Sequence, residues 1–134
     1  MAVAAAFVRT IFAGLEHGDG TAFFDHVADE VDWTVMGTHP LAGHYTSKAD
    51  FIAGTFAKLG KVLPRGAQLH VENVFVENDV AVVELHSEAT ARNGLRFDNR
   101  YCWVCYFKHD KLVRVRAYLD SAMVARLFAE NPIG

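Results

Sequence analysis

The spacing of apolar residues changes near Gln68, and this change is the feature that most constrains the fold. Upstream, apolar side chains recur every three or four residues, as they do along one face of an amphipathic helix. The first helix shows this spacing at Val3, Phe7, Ile11 and Leu15. Downstream, apolar and polar residues alternate, which is typical of half-buried strands. Helices followed by strands favour an α+β fold, with helices packed on one face of a curved, mostly antiparallel sheet.

Turn residues divide the two halves into elements. The first half is predicted to contain a helix that ends at residues 17–20, a short helix through Val27, a strand at Val31–Met36, a loop at Gly37–Tyr45 and a helix from Ser47 to Leu63. The second half is predicted to contain strands at Leu69–Val76, Val80–Ala91, Arg96–Phe107 and Leu112–Leu119, and a final helix at Ser121–Glu130.

Composition narrows the class of protein. With 134 residues, 51% of them hydrophobic and 22% charged, the chain has the length and apolar content of one folded domain. A net charge of -3 leaves no basic stripe for a phosphate backbone, and the uncharged run at the start of the chain, residues 1–8, is too short to span a membrane. We therefore expect one soluble, cytoplasmic domain over residues 1–134 that binds neither nucleic acid nor membrane.

The dipeptide Asn93–Gly94 is the strongest local turn pattern in the chain. A type I′ hairpin needs positive φ at both central residues, which this pair can adopt. With a two-residue loop, the apolar side of Val80–Ala91 shares the helix-covered face with Arg96, Asp98 and Arg100. An internal carboxylate between two guanidinium groups is costly unless it is paired or functional. These three residues are therefore either a structural ion-pair network or part of a site.

The same register gives the outer face of the sheet a large apolar load. It places Tyr101 and Trp103 there, beside Arg114, Arg116 and Tyr118 of the next strand. Tyr, Trp and Arg are enriched at the centres of protein interfaces, which favours a homodimer through this face. The alternative is a monomer in which arginine stems cover Trp103.

The cysteines and histidines show no familiar metal or redox spacing. Cys102 and Cys105 are three residues apart on a strand, so they should point to opposite faces and act as packing residues. The seven histidines include no HExxH pattern, and no nucleotide or flavin motif occurs, so no metal and no cofactor are expected. His39 lies in a loop between a strand and a helix, where pocket residues often project. A solvated loop histidine is the alternative.

Asp120 ends the last predicted strand, immediately before a helix. An aspartate or serine at that point commonly accepts hydrogen bonds from the first turn, so Asp120 or Ser121 is expected to cap the helix. The alternation along Val113–Leu119 turns Asp120 outward. Only a bulge or the turn into the helix would redirect it.

Several short motifs follow one another along nearly the whole chain. They are Trp33, Gly37, His39–Gly43, Lys48, Asn93–Gly94, Asp98–Asn99, Tyr101 and Arg116–Asp120. Together they resemble the SnoaL-like polyketide cyclase family of the ketosteroid isomerase-like, or nuclear transport factor 2-like, superfamily. The resemblance implies a cone-shaped fold, also called cystatin-like, in which a strongly bent sheet wraps around N-terminal helices and leaves a deep apolar cavity. Members include isomerases, cyclases, dehydratases, epoxide hydrolases and non-catalytic binders, so the fold does not supply the reaction.

The resemblance implies roles for only some residues. Polyketide cyclases of this type use an aspartate at the end of the last strand as acid or base, a position that Asp120 matches. Arg96–Asp98 with Asp120 also matches the Arg-x-Asp and terminal aspartate of limonene-type epoxide hydrolases. Met36–Thr38, however, stands where those enzymes have a water-positioning Tyr-x-Asn. The two acids of ketosteroid isomerase would fall near Thr34 and Val104, and both are missing.

These observations predict a cofactor-free acid/base enzyme, of cyclase, isomerase or hydratase type, that acts on a small apolar molecule in a deep cavity. Asp120 would be the general acid or base, with Asp98 as its partner and Arg96 orienting that partner. The candidate substrate-binding residues are Trp33, His39, Tyr45, Phe56 and Arg100. The alternative is a non-catalytic ligand-binding or dimerisation module, which would have the same cavity but no pair of titrating carboxyl groups facing each other.

Overall fold

The computed structural model describes residues 2–133. The helices are α1 (Ala5–Phe12), α2 (Thr21–Asp25), α3 (Lys48–Gly54), α4 (Phe56–Val62) and α5 (Ser121–Glu130), with a 3-10 helix at Ala13–His17. The strands are β1 (Val27–Val35), β2 (Gly43–Tyr45), β3 (Leu69–Glu77), β4 (Val80–Ser87), β5 (Arg100–Lys108) and β6 (Lys111–Leu119). In the described part of the chain, no helix has the length and apolar character that crossing a membrane requires.

The strands form one six-stranded sheet in the order β2-β1-β6-β5-β4-β3. Neighbouring strands are antiparallel except β1 and β6, which are parallel. The sheet is curved and does not close on itself, and the N-terminal helices contribute to the core that covers its inner face. The predicted α+β fold with a curved, mostly antiparallel sheet is therefore confirmed.

The inner face of the sheet is apolar because alternate side chains of each strand point toward the helices. In the middle of the sheet, β4 and β5 form three inward pairs: Ala81 with Cys105, Val83 with Trp103 and Leu85 with Tyr101. Phe12 and Phe23 pack against this layer, with ring centroids 5.9 and 6.0 Å from that of Trp103. Trp33 of β1 stacks on Phe51 of α3 at 3.9 Å. These aromatic contacts hold α1, α2 and α3 against the sheet.

A second apolar cluster joins α4 and α5 to the segment between β4 and β5. Its members include Leu59, Val62, Phe97, Val124 and Leu127. Phe56 packs against both clusters and so links them.

The loop at the tip of the hairpin, residues 92–94, has three residues, so the predicted two-residue register is wrong. Gly94 has a φ of 91°, whereas Asn93 lacks the positive φ that a type I′ turn requires. The Gly94 amide donates to the Ala91 carbonyl at 2.9 Å, and the Ala91 amide donates to the Leu95 carbonyl at 2.7 Å. This pattern is a type I turn followed by a left-handed glycine, which is a common three-residue hairpin loop.

The additional loop residue shifts the strand pairing by one position and exchanges the two faces of β5. Trp103 is buried and Tyr101 lies on the inner face, so the prediction that both lie on the outer face is wrong. Arg96, Asp98 and Arg100 are exposed, so the prediction that they lie on the helix-covered face is also wrong. Arg96 is nevertheless the partner of Asp98, as expected.

The predicted strands around the hairpin loop are longer than β4 and β5. Side-chain hydrogen bonds replace regular backbone pairing in the segment between Ser87 and Arg100. The segment between these strands has one isolated bridge, from Thr90 to Arg96. Nearby, the buried Ser87 hydroxyl donates to the Phe97 carbonyl and accepts from the Asn99 amide, both at 2.9 Å.

The helix predicted from Ser47 onward is split at Thr55 into α3 and α4. The Thr55 hydroxyl donates to the Phe51 carbonyl at 2.7 Å, and such back-bonding commonly bends helices. Thr55 itself leaves the helical region, with φ -129° and ψ -79°. At the start of α3, the Ser47 hydroxyl accepts from the Asp50 amide at 3.0 Å, as expected of an N-cap.

Cys102 and Cys105 lie on opposite faces of β5, as their spacing predicts. Cys105 is buried in the core, and Cys102 is half-buried on the outer face. Burial raises the pKa of both thiols, so both stay protonated at neutral pH and act as packing residues.

Candidate functional site

An apolar cavity of about 40 Å³ lies between the inner face of the sheet and α3, α4 and α5. Its aromatic wall consists of Trp33, Phe51, Phe56, Phe97, Tyr101 and Trp103. The remaining lining residues are Val35, Leu41, Thr55, Leu59, Ala67, Leu69, Ala117, Leu119 and Val124. Among the described residues, this wall therefore includes no carboxylate, imidazole or thiol, and any polarity must come from neutral groups.

Two indole N–H groups of the cavity-lining residues have no hydrogen-bond partner. The Nε1 atoms of Trp33 and Trp103 are buried, and neither forms a hydrogen bond within residues 2–133. The two rings meet edge to face, with centroids 5.3 Å apart. A buried donor left without an acceptor costs about 1–3 kcal/mol. An acceptor atom of a bound molecule would remove this cost, but a ligand reaches the two nitrogen atoms only if the cavity opens, because neither atom contributes to the cavity surface.

Tyr101 is the one titratable residue in the described cavity wall. Its hydroxyl donates to the Ser87 hydroxyl at 3.4 Å, which is a long hydrogen bond. Burial raises the pKa of Tyr101 to about 12. The phenol is therefore neutral at physiological pH and acts as a hydrogen-bond donor or acceptor, not as a general base.

Asp120 is exposed and forms the N-cap of α5. Its carboxylate accepts from the Met123 amide at 3.2 Å, which is the capping role considered from the sequence. The buried Asn99 side chain holds the backbone on either side of this carboxylate: its oxygen accepts from the Asp120 amide at 3.1 Å, and its nitrogen donates to the Asp120 carbonyl at 3.4 Å. Asp120 does not line the cavity.

Asp98 and Arg96 form a solvent-exposed ion pair on the outer face. The guanidinium donates to both carboxylate oxygens, at 2.7 and 3.2 Å, and the two side chains are 49% and 58% exposed, respectively. The structure thus does not bring Asp98 and Asp120 together in an apolar cavity, which is the arrangement that different protonation states of a carboxyl pair would require.

The five predicted substrate-binding residues separate into two groups. Trp33 and Phe56 line the cavity as expected. Tyr45 packs on the core behind the wall, with its hydroxyl donating to the Leu41 carbonyl at 2.9 Å. Arg100 is on the outer face and donates to the Glu72 carboxylate at 2.9 Å.

His39, the remaining member, is buried in its loop and is not part of the cavity wall. Its Nδ1 accepts from the Leu41 amide at 3.1 Å, so the other ring nitrogen, Nε2, carries the proton and donates to the Met36 carbonyl at 3.0 Å. Both nitrogens are therefore occupied by backbone groups, and the ring shapes the loop.

Tyr101, Trp103 and Phe97 are aromatic cavity residues that the predicted register turned away from the core. All three sit at odd-numbered positions, so a single wrong register misplaced them together. The tryptophan at position 103 could have revealed the wrong register, because a register that exposes a tryptophan on a strand is less favourable than one that buries it.

A protein-family model described as SnoaL-like domain matches residues 8–115. The chain belongs to the SnoaL-like domain family. This finding confirms the resemblance to the SnoaL-like family given above.

Two curated relatives are similar to this SnoaL-like domain over most of its length. It is 27% identical to dimerizing cyclase phiC of a fungal species over 135 aligned residues, which cover 98% of this chain and 59% of that protein. It is 25% identical to dimerizing cyclase tstC of Talaromyces stipitatus over 119 aligned residues, which cover 86% of this chain and 53% of that protein. The chain spans little more than half the length of these curated relatives.

Solved structures show the same fold. A nuclear transport factor 2-like protein from Burkholderia thailandensis matches with a TM-score of 0.78 at 23% identity, covering 92% of this chain and 95% of that one. A protein with a cystatin-like fold from Xanthomonas campestris matches with a TM-score of 0.77 at 16% identity, covering 91% of this chain and 95% of that one. The expected cone-type architecture is thereby confirmed.

Proposed function

We propose that this SnoaL-like domain is a cyclase-type enzyme that encloses a small apolar molecule in its cavity and uses no cofactor for the reaction. The similarity of nearly the whole chain to a dimerizing cyclase supports a ring-forming reaction. The observation that carries the proposal is the pair of unpartnered indole donors of Trp33 and Trp103, two residues of the apolar wall, which a ligand would reach once the cavity opens.

The proposed chemistry is orientation combined with stabilisation of a developing oxyanion. The enol form of one substrate carbonyl would add through its carbon to a second carbonyl: the new C–C bond forms as the C=O π bond breaks toward oxygen, and the enol proton passes to that oxygen. While it carries negative charge, the oxygen would accept a hydrogen bond from Nε1 of Trp33 or Trp103. Fixed donors in a water-excluded site stabilise such charge more strongly than water does. The apolar wall would hold the reacting ends of the molecule together, which converts ring closure into a well-oriented unimolecular step. The neutral Tyr101 phenol would serve as a further donor.

Substrate binding requires the cavity to enlarge. Its volume of about 40 Å³ accommodates little more than water. Sites for small molecules are usually about 300 Å³ or larger. We propose that the junction of α3 and α4 at Thr55 opens, because the helix is already interrupted there and Phe51 and Phe56 on either side line the cavity.

A pair of matched ligands tests this proposal. A bicyclic ketone and the saturated hydrocarbon of the same skeleton would be titrated into the protein, with tryptophan fluorescence as the readout. The ketone should bind about tenfold more tightly, because one neutral hydrogen bond is worth about 1 kcal/mol or slightly more. Trp33→Phe and Trp103→Phe remove the donor and keep an aromatic ring. At least one of them should abolish the preference for the ketone and leave hydrocarbon binding unchanged.

Equal affinity for the two ligands in the wild-type protein would contradict the donor role. Turnover would be assayed separately, by mass spectrometry of linear polyketone substrates incubated with the protein, with Tyr118→Phe as a variant outside the cavity. Ligand binding without ring closure would favour the second candidate function, a non-catalytic binding module. The observation in favour of that module is the lack of any carboxylate or imidazole in the described cavity wall.

We also propose a homodimer through the outer face of the sheet, with a composition different from the predicted one. Phe75 and Tyr118 are 58% and 44% exposed there. Arg114 and Arg116 flank Tyr106, each with its guanidinium carbon 5.3 Å from the ring centroid. These residues take the place of the predicted Trp103 and Tyr101, and aromatic and arginine side chains of this kind are enriched in interfaces.

Light scattering across a range of protein concentrations tests the dimer. The wild-type protein should have the mass of two chains, and Phe75→Glu should have the mass of one, while Glu77→Gln on the same strand should remain a dimer. A wild-type mass of one chain that persists as concentration rises would refute the proposal.

A further inference from the structure

A polar cluster lies on β3 and β4, outside the wall of the apolar cavity. His70 and His86 are paired across the two strands, and their rings stack with centroids 5.1 Å apart. Glu88 follows at the end of β4. One of its carboxylate oxygens lies 2.7 Å from Nε2 of His86 and 3.9 Å from Nε2 of His70. The donor atoms of the three side chains all lie within 4.8 Å of one another. Two imidazoles and a carboxylate thus converge on one point.

The second nitrogen of each imidazole lies near another carboxylate. Nδ1 of His70 is 3.9 Å from a Glu16 oxygen, and Nδ1 of His86 is 3.4 Å from a Glu72 oxygen. Nδ1 of His86 is buried and forms no hydrogen bond within residues 2–133, because the geometry toward Glu72 is not that of one. Metal-binding histidines are commonly oriented in this way, with one nitrogen on the metal and the other directed at a carboxylate.

We propose that His70, His86 and Glu88 form a binding site for one Zn²⁺ ion. Imidazole and carboxylate are ordinary zinc ligands, and three protein ligands leave a fourth position open. Imidazole selects Zn²⁺ and related transition metals over Mg²⁺ and Ca²⁺, which prefer oxygen ligands. Zinc bonds of about 2.0–2.2 Å require ligand atoms roughly 3–3.5 Å apart, so small side-chain rotations close the cluster around the ion.

The charges around the cluster favour a cation. Glu16, Glu72 and Glu88 lie beside the two imidazoles. Arg100 pairs with Glu72 and offsets part of that negative charge.

The open position of the metal has space beside it. An outer-face cleft of about 310 Å³ borders the cluster and is lined by His86, Ser87, Glu88, Arg96, Asp98 and Arg100. Water or a small anion in this cleft would complete the coordination, with two guanidinium groups in the same wall. The site is therefore accessible without any change in the apolar cavity.

Calorimetric titration of the tag-free protein with ZnCl₂ tests the proposal. One Zn²⁺ should bind per chain, and His70→Gln, His86→Gln and Glu88→Gln should each weaken binding at least tenfold. Glu72→Gln should weaken it by about 10–100-fold without removing a ligand, which is the usual effect of losing an outer-shell carboxylate.

His44→Gln is the matched control, since His44 is also a histidine on a strand beside a carboxylate, 2.8 Å from Asp32, but at the other edge of the sheet. This variant should bind Zn²⁺ as the wild-type protein does. Co²⁺ provides a second readout, because visible absorption of a four-coordinate ion would appear in the wild-type protein and disappear in His86→Gln. Absence of stoichiometric Zn²⁺ binding, or equal affinity in His44→Gln and His86→Gln, would overturn the proposal. Circular dichroism of each metal-free variant would establish that it is folded.

Discussion

The two faces of the hairpin formed by β4 and β5 have opposite chemistry. The inner face presents Tyr101 and Trp103 to a wall that, among the described residues, contains no charged group. The outer face presents polar pairs, an ion pair of Arg100 with Glu72 and a hydrogen bond between His86 and Glu88. The inner-face and outer-face residues occupy alternate positions of the same two strands. A shift of one residue exchanges them, so the assignment of a site on a strand depends on the loop that sets the register.

The largest expected difference between the faces is in folding stability. Trp103→Ala removes a buried ring from the inner face and should lower the free energy of unfolding by about 3–5 kcal/mol. Tyr118→Ala, at a position 44% exposed on the outer face, should change it by less than about 1 kcal/mol in the monomer. Urea unfolding at low protein concentration would measure both. A larger loss for Tyr118→Ala would mean that the two faces have been assigned the wrong way round.

A second difference concerns alkaline pH. The folded-state pKa of Tyr101 is raised to about 12 from 10.0, so the unfolded chain loses this proton first as pH rises. Relative to Tyr101→Phe, the wild-type protein should therefore lose about 2–3 kcal/mol of stability between roughly pH 10 and pH 12. Comparison with the variant cancels the contribution of Cys105, which is present in both proteins. Tyr118→Phe, on the outer face, should retain the wild-type pH dependence, and a parallel loss in Tyr101→Phe would refute the assignment.

The third prediction tests the three-residue loop at 92–94, which sets the register of β5 against β4. Gly94 has a φ of 91° and open space around its Cα, so Gly94→Ala introduces strain without a clash. It should lower stability by about 1–2 kcal/mol. Gly60→Ala makes the same change in α4, also in open space but without a positive φ, and should raise stability by about 0.5–1 kcal/mol. Thermal unfolding would measure the stability change of both variants. A change in the same direction for Gly94→Ala and Gly60→Ala would contradict the loop geometry.

The smallest effect is expected at Asp98. Its ion pair with Arg96 is exposed, so Asp98→Asn should change stability by less than about 1 kcal/mol. Asn99→Ala, one residue further on but buried, should cost at least about 1–3 kcal/mol because it leaves backbone groups of Asp120 without partners. Chemical denaturation of both variants tests whether neighbouring residues belong to opposite faces. If Asp98→Asn lowered the free energy of unfolding by several kcal/mol, the result would contradict the exposed position of Asp98. It would support the buried carboxylate that the two-residue loop implied.

Most of the architecture could be predicted from the sequence, because it depends on local patterns. The change of period at Gln68 separates helices from strands, and Ser47 and Asp120 cap helices as their positions indicate. The loop at Gly37–Tyr45 was predicted, but pairing with β1 converts its last three residues into β2. Thr55 interrupts a helix through a backbone hydrogen bond, which the apolar spacing does not reveal.

The candidate site was predictable only in part. Trp33 and Phe56 could be identified because a large apolar side chain on a strand or a helix is most favourable when it is buried in the core. Asp98 and Arg100 were misplaced because the helix-covered face was inferred from a single dipeptide. The pairing of His70 with His86 was missed because it depends on the alignment of β3 with β4, and neither residue belongs to a short-range metal motif.

The parallel pairing of β1 with β6 has a consequence for how the chain acquires its structure. β1 is bordered by β2 and β6, so residues 27–35 complete their hydrogen bonds only after residues 112–119 are available. Closure of so long a loop is entropically costly before any contact rewards it, and domains dominated by such pairings fold on the order of milliseconds to seconds. During synthesis, the strand that carries Trp33 would keep one edge unpaired until residues 112–119 had left the ribosome. That interval is when an unpaired apolar strand is most prone to aggregate.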